Sequence, residues 1–213
     1  MEIKKMPVAP IGANCYIVSE GDAAFIIDPG GDAEKIVRAA KNFEVRYILI
    51  THTHFDHIGG LNEVKKAFPE AKTAVNILEQ DWLYSPQLNF SEEFGFTFVY
   101  GNEIDIRLEN GTALDFAGMK INVIHTPGHT PGSTCFYIER SEKCEKPVLF
   151  SGDTLFRSSI GRTDFPGGSG RKIIESIKTK LLNLPDETVV YPGHDENTSI
   201  SLEKKLNPFL NRI

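Results

Sequence analysis

The sequence predicts an α/β protein in which layers of β-sheet are covered by helices. Short apolar runs rich in β-branched residues alternate with helical patterns along the whole chain. No linker, repeat or low-complexity segment interrupts this alternation. The 213 residues suffice for a substantial core, so we expect one domain over residues 1–213.

The N-terminal half is predicted to contain five strands, at residues 3–8, 14–18, 24–27, 45–50 and 73–77. Asp32 is the expected N-cap of a helix that places Ile36 and Ala40 on one face. A second helix is expected over about 60–68, closed by Pro69, and a short helix over about 78–83.

The C-terminal half is predicted to contain six short strands, at about 103–108, 112–116, 120–125, 133–138, 147–151 and 188–191. Turn-prone pairs lie between several of them and predict hairpins: Asn110-Gly111, Ala117-Gly118 and Pro131-Gly132. A long helix is expected over about 170–183, and a short helix precedes the tail at 207–210.

Residues 84–100 form an aromatic segment with two interpretations. Four phenylalanines fall within nine residues, at positions 90, 94, 96 and 98. They either pack the core between layers or form a loop that walls an apolar pocket beside the site. The spacing of two between Phe94, Phe96 and Phe98 suits one face of a strand and favours core packing for those three.

The composition constrains the compartment and the partners. Hydrophobic residues make up 40% of the chain and charged residues 24%, as is typical of a soluble globular protein. The net charge of −6 argues against a nucleic-acid partner, and the absence of a long apolar stretch or signal peptide predicts no membrane association. Cys15, Cys135 and Cys144 have no CxxC spacing, which predicts reduced thiols and a cytoplasmic protein. The oligomeric state stays open.

Residues 51–60, with the sequence THTHFDHIGG, hold three imidazoles and a carboxylate within six positions. They follow the apolar run 47–50, a pattern typical of a strand that ends in a loop and feeds a helix. Packing gives no reason for His52, His54 and His57 to lie so close together. Because imidazole and carboxylate are ligands that divalent transition metals prefer, and the helical HExxH motif is absent, the cluster is expected to bind metal from a loop.

Three downstream residues share one context with each other. His129, Asp153 and His194 each follow a short apolar run and a turn with glycine, which lets the backbone turn tightly towards a fixed point. Asp28 follows a similar apolar run. His125, four residues before His129, lies at a strand end, and we expect it to have a structural role.

The motif HxHxDH, followed by TPGHTPGS, SGD and PGH in this order and spacing, resembles the metallo-β-lactamase superfamily. Several flanking segments are similar to the short bacterial branch of glyoxalase II-type hydrolases, namely residues 14–16, 28–31, 151–155, 160–168 and 207–210. The resemblance covers nearly the whole chain. Its motifs are specific for the superfamily and much less so for the substrate.

The resemblance implies a four-layer αββα sandwich with two divalent metal ions at one edge. His52, His54 and His129 would hold the first ion. Asp56, His57 and His194 would hold the second, and Asp153 would bridge the two. Asp56 and Asp153 are thereby the expected catalytic residues. Asp28 would either orient a metal-binding imidazole or only form a turn before proline. Zinc is the expected metal, and iron or manganese fit the same ligands.

The function implied by this site is hydrolysis of a small acyl-thioester, such as S-D-lactoylglutathione, by a hydroxide that bridges the metals. A thiolate leaves without a strong general acid. Longer glyoxalase II enzymes carry a C-terminal extension that binds glutathione, whereas this sequence ends at Ile213. Arg157, Arg162 and Arg171 are the candidate substrate-binding cations, although Arg162 is also expected to pair with Asp164.

Two alternatives use the same fold. A persulfide dioxygenase would need one iron held by His52, His129 and Asp153, a 2-His-1-carboxylate set. A lactonase or β-lactamase would use the same hydroxide on another ester or amide, with residues 84–100 deciding access.

Overall fold

The computed structural model describes residues 1–210, and the chain divides into two compact units, residues 1–108 and residue 109 onward. Each unit contains a six-stranded sheet. The alternation of strands and helices in both units confirms the predicted α/β class.

The first unit contains strands β1–β6, with bounds Glu2–Val8, Ala13–Glu20, Ala23–Ile27, Glu44–Leu49, Lys72–Asn76 and Ile106–Leu108. They lie in the sheet in chain order, with β1 to β3 antiparallel. From β3 to β6 every pair is parallel. Parallel neighbours end at the same edge of a sheet, so the segments after β3, β4 and β5 lie side by side.

Three α-helices and a 3₁₀-helix connect these strands: α1 (Ala33–Ala40), α2 (Phe55–Ile58), α3 (Leu61–Ala67) and the 3₁₀-helix Gln80–Tyr84. Ile36 of α1 and Leu61 and Val64 of α3 are fully buried in one apolar cluster with residues of the sheet. This helical spacing of apolar residues is what the sequence pattern predicted.

The second unit contains strands β7–β14, with bounds Ala113–Phe116, Met119–His125, Thr134–Ile138, Val148–Gly152, Leu155–Phe156, Ser159–Ile160, Val189–Pro192 and Thr198–Ser199. The sheet order is β14-β13-β10-β9-β8-β7, and β11 pairs with β12 in a separate hairpin. Because β9 is antiparallel to both β8 and β10, and β10 is parallel to β13, the ends of β8, β10 and β13 point the same way.

Helix α4 (Gly170–Ser176) continues into a π-helical turn, Ile177–Leu181, and helix α5 spans Ile200–Leu206. Apolar residues of both helices share one cluster with the second sheet, including Ile173 and Ile200. Ser169 caps α4 by accepting a hydrogen bond from the Lys172 N–H. Within residues 1–210, none of the helices has the length and apolar character needed to cross a lipid bilayer.

Two local predictions are wrong and one is half right. Asp32 is the N-cap residue of α1, as predicted, but its side chain makes no capping hydrogen bond: its φ is 48°, and its carboxylate accepts the Ala9 N–H and pairs with Lys35. Asn110-Gly111 does not form a hairpin, because β6 and β7 belong to different sheets. The aromatic segment contains no strand: Phe98 is buried, whereas Phe94 and Phe96 are exposed.

The three cysteines are free thiols and are buried. Cys15 lies in β2 and Cys135 in β9, as predicted, and Cys144 lies in the loop before β10. Burial raises the pKa of the Cys135 thiol to about 11 and also raises the pKa of Cys15. Thiols in such surroundings are poor nucleophiles, which supports a structural role for both.

Candidate metal centre

The first unit holds a cluster of three histidines and an aspartate directly after β4. His52 and His54 lie on the loop, whereas Asp56 and His57 lie in the short helix α2. The prediction that the whole motif works from a loop is therefore only half right. All four residues are buried.

The side chains of this cluster converge. The ring centroids of His52 and His57 lie 4.1 Å apart, and those of His52 and His54 lie 4.8 Å apart. His57 Nε2 lies 3.4 Å from Asp56 Oδ2. Three buried imidazoles in contact are polar groups that an apolar core would not need, so their convergence indicates a ligand.

Asp28 orients His57. It lies at the end of β3, the strand next to β4, and its Oδ2 is 2.9 Å from His57 Nδ1. The same carboxylate accepts the Thr51 N–H at 2.8 Å and the Thr51 hydroxyl at 2.6 Å. Since a buried carboxylate accepts hydrogen bonds, Nδ1 carries the proton, and Nε2 presents its lone pair towards Asp56.

Glu79 holds the loop between the first two histidines. Its side chain is fully buried, and its Oε2 accepts the Thr53 N–H at 2.9 Å and the Thr53 hydroxyl at 3.0 Å. Sequence reasoning did not identify this residue. The available signal was its position just after β5, because β3, β4 and β5 end at one edge of the sheet.

Replacing Glu79 with alanine is expected to lower the free energy of unfolding by about 3 kcal/mol, since two donors of Thr53 would stay buried without this acceptor. Glu79→Gln retains a side-chain oxygen, so its free energy of unfolding is expected to fall less. Urea denaturation measures the free energy of unfolding of both variants, and Glu93→Ala, which removes an exposed glutamate, is the control. Equal urea midpoints for Glu79→Ala and Glu93→Ala would show that the contact between Glu79 and Thr53 does not stabilise the fold.

The second unit holds a cluster of two histidines and an aspartate. His129 follows β8, Asp153 follows β10 and His194 follows β13, so three strands with a common direction deliver them to one edge. Asp153 Oδ2 lies 3.6 Å from His129 Nε2 and 3.7 Å from His194 Nε2. One carboxylate oxygen therefore faces two imidazole nitrogens.

The backbone fixes this second cluster. His129 Nδ1 lies 2.8 Å from the carbonyl oxygen of Arg162, which makes Nδ1 the donor and leaves Nε2 with its lone pair. Gly161 packs so closely that a Cβ there would lie 1.8 Å from the carbonyl oxygen of Asp153. The Thr126 and Thr154 hydroxyls, 2.9 Å apart, connect the loops that carry His129 and Asp153.

The donor atoms in both clusters fit a divalent transition metal. A carboxylate oxygen and an imidazole lone pair repel each other unless a cation or a proton lies between them. Ligands at about 2.1 Å from a tetrahedral ion lie roughly 3.4 Å from one another. The distances of 3.4 Å, 3.6 Å and 3.7 Å between these oxygen and nitrogen atoms are close to that value.

Two of the three predicted substrate cations have partners within the second unit. Arg162 donates to both carboxylate oxygens of Asp164 at 2.8 and 2.7 Å, and its guanidinium lies over the Phe165 ring. These hydrogen bonds lower the pKa of Asp164 to about 2. Arg157 pairs with Glu196, and Arg171 lies exposed in the first turn of α4. Their role in substrate binding stays a prediction.

His125 makes a backbone contact. Its Nε2 lies 2.8 Å from the Pro131 carbonyl oxygen, and its own N–H donates to the Asn110 side chain. These contacts brace the loop that carries His129.

The model of the metallo-β-lactamase superfamily matches residues 8–194. The chain belongs to this superfamily. The match treats these residues as one family domain, which agrees with the predicted single-domain α/β fold. The superfamily and the His/Asp clusters make the chain a metal-binding hydrolase.

Similar proteins of known sequence or structure extend over the full chain. Hydroxyacylglutathione hydrolase GloC of Haemophilus influenzae is 37% identical over 216 residues, covering 99% of both chains. The crystal structure of the BLEG-1 B3 metallo-β-lactamase is 39% identical, with a TM-score of 0.92, covering 99% of this chain and 100% of that one. TTHA1623, solved in a di-iron-bound form, is 33% identical, with a TM-score of 0.83, covering 97% and 100%.

Proposed function

We propose that the two clusters jointly bind two divalent metal ions and that the protein hydrolyses acyl-thioesters. His52, His54 and His129 would hold one ion, Asp56, His57 and His194 would hold the other, and Asp153 would be a ligand of both. The observation that carries the proposal is the pairing of carboxylate oxygens with imidazole lone pairs in each cluster. Membership of the superfamily supports joining the clusters into one centre.

The chain's own residues prepare the ligands for this role. Asp28 and the Arg162 carbonyl set the tautomers of His57 and His129, so that Nε2 is the ligand atom in both. Glu79 fixes Thr53 and with it the spacing of His52 and His54. Bound divalent ions lower the pKa of water towards neutrality and stabilise negative charge on the attacked carbonyl oxygen.

A thioester is the substrate class best suited to this centre. Water adds to the carbonyl carbon, the C–S bond breaks, and the products are a carboxylic acid and a thiol. A thiol with a pKa of about 8.5 leaves as the thiolate, so no strong general acid is required. The name of the GloC relative, which has nearly the same length as this chain, supports a hydroxyacyl-thioester of glutathione.

Zinc is the metal that we propose, since tetrahedral imidazole and carboxylate ligation suits it. Iron fits the same ligand types, and TTHA1623 carries a di-iron site. Elemental analysis of the purified protein therefore belongs with the test of activity.

The test combines three measurements on one preparation. We expect two equivalents of metal per chain, hydrolysis of S-D-lactoylglutathione followed by thiol release, and no oxygen uptake with a persulfide. Removal of metal by a chelator is expected to abolish hydrolysis, and zinc is expected to restore it. One iron per chain with persulfide-dependent oxygen uptake would support the dioxygenase alternative. Failure to hydrolyse any acyl-thioester would reject the proposal.

A further inference from the structure

Residues 85–98 of the first unit form a compact loop built on two buried polar side chains. Asn89 and Ser91 are fully buried. The Asn89 amide donates to the carbonyl oxygens of Trp82 and Phe98, both at 3.1 Å. Ser91 Oγ accepts the Phe98 N–H at 2.9 Å, and Asn89 Oδ1 accepts the Ser91 N–H at 3.0 Å. The loop therefore has a defined shape held by its own hydrogen bonds.

The loop is attached to the segment that carries the metal ligands of the first unit. The Phe55 N–H donates to the Asn89 carbonyl at 2.9 Å. The Phe90 ring packs edge-to-face on His54 with centroids 5.2 Å apart. Phe90 has a φ of 66°, a conformation that costs energy for a bulky residue and persists only where neighbouring contacts hold it. The contact of Phe90 with a ligand-bearing loop is therefore enforced by the fold.

Two further rings of this loop remain in solvent. Phe94 is 52% exposed and Phe96 is 38% exposed, although buried polar groups fix the backbone on either side. Their ring centroids lie 4.2 and 5.3 Å from that of Phe55, the residue between His54 and Asp56. Phe55, Phe94 and Phe96 thus form an aromatic cluster that extends from the ligand-bearing segment to the surface, and Phe90 of the same loop contacts His54. Contiguous exposed aromatic rings of this kind mark binding sites.

The charges around the cluster restrict what can bind. Glu92 and Glu93 precede Phe94 and are exposed. A carboxylate or phosphate at the end of a ligand would be repelled by these two side chains, whereas an uncharged apolar chain would not. The part of a ligand that lies against this cluster is therefore expected to be apolar and neutral.

We propose that the aromatic cluster binds the acyl chain of the substrate, so that the protein hydrolyses acyl-thioesters more efficiently as the apolar part of the acyl group becomes longer. This inference rests on the proposed thioesterase function. It refines the substrate class: a medium-length alkyl or aromatic acyl group lies against Phe94 and Phe96, with its carbonyl directed towards the ligand-bearing segment at Phe55.

The test uses acetyl, butyryl, hexanoyl and octanoyl thioesters of N-acetylcysteamine, which carry no charge. The kcat/KM of the zinc-loaded protein is expected to rise about two- to fourfold per added methylene. In Phe94→Ala/Phe96→Ala the rise is expected to fall below about 1.5-fold per methylene, so that the octanoyl value falls much more than the acetyl value. Phe209→Ala is the control: it removes a ring of similar exposure from the second unit and should retain the wild-type increase in kcat/KM per methylene.

A binding measurement separates this inference from the function on which it rests. S-octyl-N-acetylcysteamine, a thioether that cannot be hydrolysed, is titrated while the fluorescence of the single tryptophan, Trp82, is followed. Its Kd is expected to be at least about tenfold higher for Phe94→Ala/Phe96→Ala than for the wild type. If no thioester is hydrolysed, the proposed function fails, and this titration alone decides whether the cluster binds apolar chains.

Four results would overturn the inference. The first is thioester hydrolysis without dependence on chain length, and the second is a dependence that the double variant retains. The third is a dimer in sedimentation velocity that Phe94→Ala/Phe96→Ala dissociates, which would identify the cluster as a contact between copies of the chain. The fourth is a Kd for the thioether that is unchanged in the double variant even though the dependence of kcat/KM on chain length is lost, since these rings would then have no role in binding the chain.

Discussion

Asp153→Ala is expected to abolish metal binding and hydrolysis together while the metal-free protein stays folded. The carboxylate of Asp153 faces the Nε2 atoms of His129 and His194 at 3.6 and 3.7 Å. Asp153 lies just after β10 and is not part of the apolar cluster of the second unit, so its truncation leaves the core packing of that unit unchanged. The loss of kcat/KM should exceed the roughly 10- to 100-fold change that removal of a hydrogen bond to a metal ligand produces.

The thermal midpoint provides a second measure of the Asp153 variant. Metal that binds only the folded state raises the midpoint of the wild type. Asp153→Ala should show a midpoint close to that of the metal-free wild type, and no increase when zinc is added. A variant that still binds two ions would contradict the role assigned to Asp153.

His125→Ala is the matched control, because it removes a histidine from the loop that carries His129. His125 contacts the Pro131 carbonyl, so its loss is expected to cost about 1 kcal/mol of stability. Metal content and hydrolysis are expected to be retained. Loss of metal in His125→Ala would mean that this histidine, and not a ligand predicted by the motif, belongs to the centre.

The fold class was predictable because the apolar pattern reports local structure directly. Strand β3 is buried over its whole length and its sequence is a continuous apolar run, whereas β4 alternates exposed and buried residues before its buried end. The positions of the ligands follow from the same pattern, since each polar residue of the site lies just after such a run. Parallel neighbours then bring Asp28 to His57 without any signal beyond their order in the sheet.

Two features of the site were not predictable from residue patterns. Glu79 is an ordinary surface residue by type, and only the pairing of β4 with β5 brings it to Thr53. The spacing of Phe94, Phe96 and Phe98 suggested a strand, but the hydrogen bonds of Asn89 and Ser91 shape this segment into a loop. Side-chain hydrogen bonds to a distant backbone compete with strand pairing and leave no periodic trace in the sequence.

Gly30→Ala is expected to destabilise the protein by more than about 4 kcal/mol or to prevent folding. A Cβ at this position would lie 1.6 Å from the carbonyl oxygen of Asp56 and 2.6 Å from its carbonyl carbon. Both atoms are backbone, so no side-chain rotation can relieve the clash. The residue has no positive φ, and the requirement for glycine here is one of space alone.

Two other glycines of the first unit, with progressively more space around them, test whether the space available for a Cβ determines the loss of stability. A Cβ at Gly60 would lie 3.0 Å from the Pro29 carbonyl oxygen, and one at Gly101 would lie 3.5 Å from a side-chain atom of Asn62. Gly60→Ala should cost about 1–3 kcal/mol, and Gly101→Ala should stay within about 1 kcal/mol of the wild type. Urea denaturation with a constant m-value measures the series.

The order of the three variants decides between two accounts of the segment after β3. If close backbone contact fixes Asp28 and α2 together, stability falls in the order Gly101→Ala, Gly60→Ala, Gly30→Ala, and zinc affinity falls in the same order because the helix that carries Asp56 and His57 is displaced. If instead Gly30→Ala is as stable as Gly101→Ala, the chain relaxes around the added methyl group. If the zinc affinity stays constant while the free energy of unfolding falls, the packing of this segment stabilises the fold but does not determine the geometry of the metal ligands.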